Sequence, residues 1–71
     1  MRDIGKRRRE VLDRVSRGLT NKEIASEMGI SEQAVKDHVS ALLRHFRVST
    51  RTALVTEAAR EGVLDLRRGS R

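Results

Sequence analysis

Thr20-Asn21-Lys22-Glu23-Ile24-Ala25-Ser26-Glu27-Met28-Gly29-Ile30-Ser31-Glu32-Gln33-Ala34-Val35 is the stretch whose reading decides the fold. Thr20 and Glu23 spell the Thr-x-x-Glu capping box, in which hydroxyl and carboxylate each take one amide left open at a helix start. A helix is expected over Asn21 to Met28, with Ile24, Ala25 and Met28 turned inward. Gly29 ends it, since glycine adopts the left-handed conformation without a Cβ penalty. Ser31 then caps a longer helix over Glu32 to Phe46. Two helices joined by Gly29-Ile30-Ser31 must cross steeply, with Ile30 plugging the corner. That is the geometry of a helix-turn-helix. The competing architecture, a helical hairpin inside a bundle, wants longer and nearly antiparallel helices.

At 100° per residue, Val35, Val39, Leu42, Leu43 and Phe46 fall within one arc of about 100°. This stripe is expected to face the core. Gln33, Lys36, Asp37, Ser40 and Arg44 fall in a second arc of about the same width on the other side. Periodicity alone favours a simple solvated face; the steep turn before the helix is what turns the reading toward a nucleic-acid surface. Gln can pair with adenine, Lys with guanine, and Asp can accept from cytosine N4–H. Gln33, Lys36, Asp37 and Ser40 are therefore the candidate base-contacting residues.

Outward from this centre, Val11, Leu12, Val15 and Leu19 recur at helical spacing, so a first helix is expected over Lys6 to Arg17, stopped by Gly18. Its start is poorly specified. Gly5 is a weak cap, and Lys6, Arg7, Arg8 and Arg9 oppose the helix dipole. A fourth helix is expected over Arg51 to Glu61, capped by Thr50 or Ser49 and stopped by Gly62. Nothing reads as a strand or a repeat. The fold class is all-α: a four-helix helix-turn-helix domain over residues 6–63. Residues 1–5 are expected as a tail, and residues 64–71 as a basic, disordered one. The expected core is Val11, Leu12, Val15, Leu19, Ile24, Ala25, Met28, Ile30, Val35, Val39, Leu42, Phe46, Val48, Leu54 and Ala58.

Composition narrows the function. The chain has 71 residues, enough for one domain with a marginal core. It has no Cys, which removes disulfides and thiolate metal sites. No apolar run approaches a membrane span, and no signal-peptide h-region is seen, so a cytoplasmic protein without membrane attachment is expected. The net charge of +6 suggests a polyanionic partner. Residues 1–19 carry +4, residues 20–46 carry −1 and residues 47–71 carry +3. Basic flanks around a near-neutral centre suit ends that hold phosphates and a middle that reads bases; Arg-rich termini that merely aid solubility are the plainer alternative. Phe46 is the one aromatic side chain, so single-strand stacking platforms are disfavoured. His38 and His45 lie seven apart on the third helix but lack further ligands for a metal. No cofactor is expected, and no enzyme: a strained nucleophile turn and a metal set are missing, and there is little room for a pocket.

Several stretches together resemble the LuxR, FixJ and GerE type of helix-turn-helix domain. They are Arg9-Glu10-Val11-Leu12, Gly18-Leu19-Thr20-Asn21-Lys22-Glu23-Ile24-Ala25, Ile30-Ser31, Ala34-Val35-Lys36-Asp37-His38-Val39-Ser40 and Val48-Ser49-Thr50-Arg51-Thr52. The resemblance covers roughly residues 4–63. It implies a four-helix domain of a bacterial transcription regulator, found in response regulators, quorum sensors and small free-standing regulators. It also implies binding to inverted repeats of double-stranded DNA as a dimer. Glu32 to Phe46 becomes the recognition helix, with Lys36 on bases or phosphate. Thr20, Asn21, Lys22 and His38, together with Arg44 and Arg51, become the expected phosphate contacts. The family usually has Thr where Ala34 stands, and Gly where Arg47 stands. It usually opens Leu-Thr-x-Arg-Glu where this chain has Ile4-Gly5-Lys6-Arg7-Arg8. A positive φ is therefore expected at Arg47.

The fourth helix carries one apolar arc, Leu54, Val55, Ala58 and Ala59. Part of it must cover the domain's own core. Thr52, Val55, Thr56 and Ala59 are the candidate homodimer surface, small enough that pairing is expected to be weak or DNA-dependent. The alternative function is a helical module that holds RNA polymerase or acts like a sigma factor. Asp37 is the least comfortable residue of the polar arc, because phosphates make the groove strongly negative. Two partners are open to it: cytosine N4–H, or a neighbouring cation, Lys36 or Arg44.

Overall fold

The computed structural model describes residues 4–64. Four helices run in order: α1 Lys6–Ser16, α2 Asn21–Met28, α3 Glu32–Phe46 and α4 Arg51–Arg60. No strand occurs among the described residues. The expected class is borne out, with α1 and α4 each ending one residue earlier than expected. Of the expected tails at residues 1–5 and 64–71, residues 1–3 and 65–71 lie outside the described residues, whereas Leu64 is half-buried against the core and its amide donates to the Ala58 carbonyl at 3.3 Å.

Each helix start follows its local chemistry. The Thr20 hydroxyl accepts from the Glu23 amide at 3.1 Å, and the Glu23 carboxylate accepts from the Thr20 amide at 2.8 Å. Ser31 caps α3 through the Ala34 amide at 3.0 Å, and Thr50 caps α4 through the Ala53 amide at 3.1 Å. Gly5 offers α1 no side-chain cap, and no acidic residue sits in its first turn. Losing one hydroxyl cap costs typically about 1 kcal/mol, so α1 is the least locally specified of the four.

The helix ends share one device. A residue in the left-handed region is followed by an apolar residue whose amide reaches back five positions, the 6→1 bond of a Schellman motif. The bonds are Leu19 to Arg14, Ile30 to Ala25, Val48 to Leu43 and Val63 to Ala58. At the α2 end the left-handed residue is Gly29 (φ 67°), and at the α3 end it is Arg47 (φ 58°), as expected from its position. A Cβ on Gly29 would meet nothing within 4 Å, so backbone conformation rather than space is what calls for glycine there.

The core lies at the crossing of all four helices, and α3 packs against each of the other three. Leu12, Ile24, Leu42, Leu54, Val11 and Val35 are wholly buried, joined by Val15, Ala25, Val39, Phe46 and Ala58. Burying one such aliphatic side chain is worth about 1.5–3 kcal/mol. A domain of this size has roughly 4–10 kcal/mol of net stability, so each of the six is individually consequential. Leu19, Met28, Ile30 and Val48 are half-buried against the core rather than inside it. Leu19, Ile30 and Val48 immediately follow helix ends, where one side of each stays open to solvent. Ile4 was expected in the tail but is a core residue at 7% exposure. A single apolar residue before Gly5 has no periodic partner to announce it.

Candidate nucleic-acid interface

Packing on three sides leaves α3 one open face. Gln33, Lys36, Asp37, Ser40 and Arg44 are all exposed on it, opposite buried Val35, Val39, Leu42 and Phe46. Ser31 and Gly29 hold the start of this helix at the turn, so the face is presented by capped, left-handed geometry rather than by a loose loop. Fifteen residues at 1.5 Å each make α3 about 22 Å long, and an α-helix fits the major groove of B-DNA.

Within the face the side chains are unequal. Gln33 Nε2 donates to Asp37 Oδ1 at 3.0 Å. Asp37 has no ion pair with Lys36 or Arg44, its expected cationic partners. Lys36, Ser40 and Arg44 make no side-chain hydrogen bond to the protein among the described residues, and their donors are open to solvent. His38 is half-buried on the flank of the same helix. His45 is exposed and meets the Phe46 ring edge-on, with centroids 4.8 Å apart and planes at 77°. No group of His, Asp or Glu able to hold a metal occurs among the described residues.

The start of α2 lies under a second set of residues. Thr20 and Lys22 are exposed, with the Thr20 hydroxyl committed to its cap. Asn21 accepts a hydrogen bond from Arg51 Nη2, and Arg51 Nη1 donates to the Leu19 carbonyl at 3.3 Å. The Arg51 guanidinium therefore ties the first turn of α4 to the first turn of α2. Arg51 was expected at a phosphate; in the structure its guanidinium is bonded to Asn21 and to the carbonyl of the α1–α2 turn. No local pattern signals this bond, which joins residues 30 apart in sequence.

The basic flank also divides. Arg14 is half-buried and reaches Glu27 at 2.9 Å and the Glu10 carbonyl at 3.0 Å. Arg17 pairs with Asp13 at 3.2 Å and stands 4.0 Å from Glu27. These two cations clasp α1 to α2. Arg60 is paired with Glu57 at 2.9 Å, and that hydrogen bond holds the Glu57 carboxyl below its ordinary value. Such charges are locally neutralised, which a count of Arg and Lys does not reveal. Lys6, Arg7 and Arg8 remain exposed at the start of α1.

On α4, Thr52 and Thr56 are exposed, while Val55 and Ala59 are half-buried. Beside them a shallow hollow of about 220 Å³ is lined by Val15, Gly18, Leu19, Arg51, Thr52 and Val55. The expected dimer residues thus share an open side of α4, with an apolar recess next to it. No described helix is long and apolar enough to cross a membrane.

Comparison with known proteins places this arrangement. Residues 4–58 match the bacterial regulatory proteins of the luxR family. The chain is 43% identical over 63 residues to the spore germination protein GerE of Bacillus subtilis, covering 89% of this chain and 85% of that protein. It is 48% identical over 50 residues to the nitrate/nitrite response regulator protein NarP of Escherichia coli, covering 70% of this chain but 23% of NarP. The fold superposes on the response regulator ChrA of a heme-sensing two-component system with a TM-score of 0.85 and 30% identity. That match covers 90% of this chain and 32% of ChrA. The chain thus spans most of GerE and about a quarter to a third of the two response regulators. By the match over residues 4–58 and the shared four-helix structure, the chain belongs to the luxR family of bacterial regulatory proteins, as a transcription-regulator DNA-binding domain.

Proposed function

We propose that this domain regulates transcription by seating α3 in the major groove of a specific double-stranded DNA site. The observation that carries this reading is the split character of α3. One side is sealed into the core, and the other presents Lys36, Ser40 and Arg44 with donors unused by the protein. Lys36, with Gln33, Asp37 and Ser40, would face base edges. Lys22, His38 and Arg44 would lie along phosphates, where the α2 start adds its open amides. Thr20 and Asn21 would set that start on a phosphate, and Arg51 then serves by fixing it through Asn21 and the Leu19 carbonyl.

The protein acts as a homodimer on an inverted repeat, through Thr52, Val55, Thr56 and Ala59 of α4. The small side chains and shallow recess favour a contact that closes on DNA rather than in free solution. Sequence-specific readout is expected in the cytoplasm, and contact with RNA polymerase would be secondary to it. A titration at moderate salt tests the proposal, using a duplex selected from a random pool and a scrambled duplex of equal length. Selective binding supports it; binding to polymerase with no preference between the duplexes would favour a polymerase-holding module instead. For the dimer, Thr56→Glu should weaken binding to a two-half-site duplex while leaving single half-site binding nearly unchanged. Equal loss on both duplexes would remove α4 from the dimer contact.

A further inference from the structure

Asp37 is the unexplained charge of the α3 face: an exposed carboxylate where a polyanion is proposed to dock. Its recorded partner is Gln33, one helical turn earlier. A carboxylate only accepts hydrogen bonds, so the Gln33 amide must turn its NH₂ group toward Asp37. One N–H is consumed by that bond. The amide oxygen and the second N–H remain, and these are the two groups that a glutamine uses on adenine N6–H and N7. The four-residue spacing also places both side chains on one strip of the helix.

We propose that Gln33 and Asp37 form one reading unit, in which Asp37 is a positioning residue that locks the Gln33 amide for adenine and does not itself read cytosine. The inference rests on α3 entering the major groove. It accounts for a carboxylate in a negative groove: the charge is held by an amide donor, and the free-chain entropy of a long Gln side chain is reduced before DNA arrives. The unit specifies A·T at the base pair facing the first turns of α3. Lys36, one residue from Asp37 and unbonded, reads separately.

The experiment uses the whole chain and a duplex selected by it from a random pool, with every single-base-pair variant of that duplex. Binding is measured for wild type, Gln33→Ala, Asp37→Ala, Asp37→Asn and the Gln33→Ala/Asp37→Ala double variant. Asp37→Ala and Asp37→Asn remove the same charge, but only Asn keeps an acceptor for the Gln33 amide. Gln33→Ala and Asp37→Ala should lose discrimination at the same A·T pair by roughly 5- to 150-fold, the range for one bidentate base contact. The double variant should be no worse than either single one, and Asp37→Asn should retain most of the discrimination. Helix content by circular dichroism should be the same for all, since both residues are exposed. Loss at a C·G pair in Asp37→Ala, or equal behaviour of Asp37→Ala and Asp37→Asn at the Gln33-dependent pair, overturns the unit. Failure of wild type to select any sequence overturns major-groove reading itself, and is visible before any variant is made.

Discussion

Replacing Arg47 with Gly is expected to stabilise this domain, although it removes a side chain and a charge. Arg47 is exposed, makes no side-chain bond among the described residues, and sits at φ 58°, ψ 45°. A non-glycine residue in that region carries about 1–2 kcal/mol of strain between Cβ and the following carbonyl. Glycine removes the strain but frees the unfolded chain, at a cost of about 0.4–1 kcal/mol. The lost cation near the α3 C-terminus costs a few tenths more by about the usual dipole effect, with Arg44 and His45 still in the last turn. The balance is a gain of roughly 0.5 kcal/mol, or about 2–4 °C in melting temperature for a chain of this length. Thermal melting followed by circular dichroism at several protein concentrations reads it directly. Arg47→Ala is the control: it removes the charge and keeps the strain, so it should melt at or slightly below wild type. Gly29→Ala is the mirror case, expected to lose about 1 kcal/mol at φ 67°. A melting temperature for Arg47→Gly no higher than that of Arg47→Ala would refute the strain argument.

Three further outcomes are expected. Lys36→Ala should weaken binding to a selected duplex by about 1–3 kcal/mol and relax one base position, while Lys22→Ala should weaken all sequences alike and lower the salt slope by about one unit; identical behaviour would erase the distinction between reader and phosphate contact. Arg51→Ala should cost about 1 kcal/mol of stability through its bonds to Leu19 and Asn21, with the salt slope unchanged; a slope lower by one unit would place Arg51 on a phosphate instead. Leu42→Ala leaves a cavity at a wholly buried α3 position and should cost about 2–5 kcal/mol, a large share of the net stability, read by chemical denaturation; a loss under about 1 kcal/mol would mean that the core collapses around the gap.

Local signals made most of the fold legible. The Thr20–Glu23 capping box, Ser31 and Thr50 are read within four residues of themselves, and each formed the bond its spacing implies. The positive φ at Arg47 was readable only against the glycine that the family usually carries there. Contacts between distant residues were not legible. The Arg51–Asn21 and Arg14–Glu27 bonds depend on how α1, α2 and α4 cross, and no periodicity reports a crossing. Ile4 escaped for the same reason: its burial is set by tertiary closure. On the α3 face, exposure of Gln33, Lys36, Asp37, Ser40 and Arg44 followed from the wheel. The Gln33–Asp37 bond did not, because several partners lay within reach of Asp37 and only side-chain conformation chooses among them.

The account turns on α3 reading major-groove edges, and base-analogue substitution tests that most directly. A selected duplex is compared with one of identical sequence whose purines are 7-deaza analogues, which lack the N7 acceptor of the major groove and leave the minor groove and phosphates intact. The account predicts a loss of affinity of at least tenfold on the substituted duplex, on the order of 1.4 kcal/mol, with the salt slope preserved. Unchanged affinity on the 7-deaza duplex, with displacement by a ligand that fills the minor groove, would contradict it.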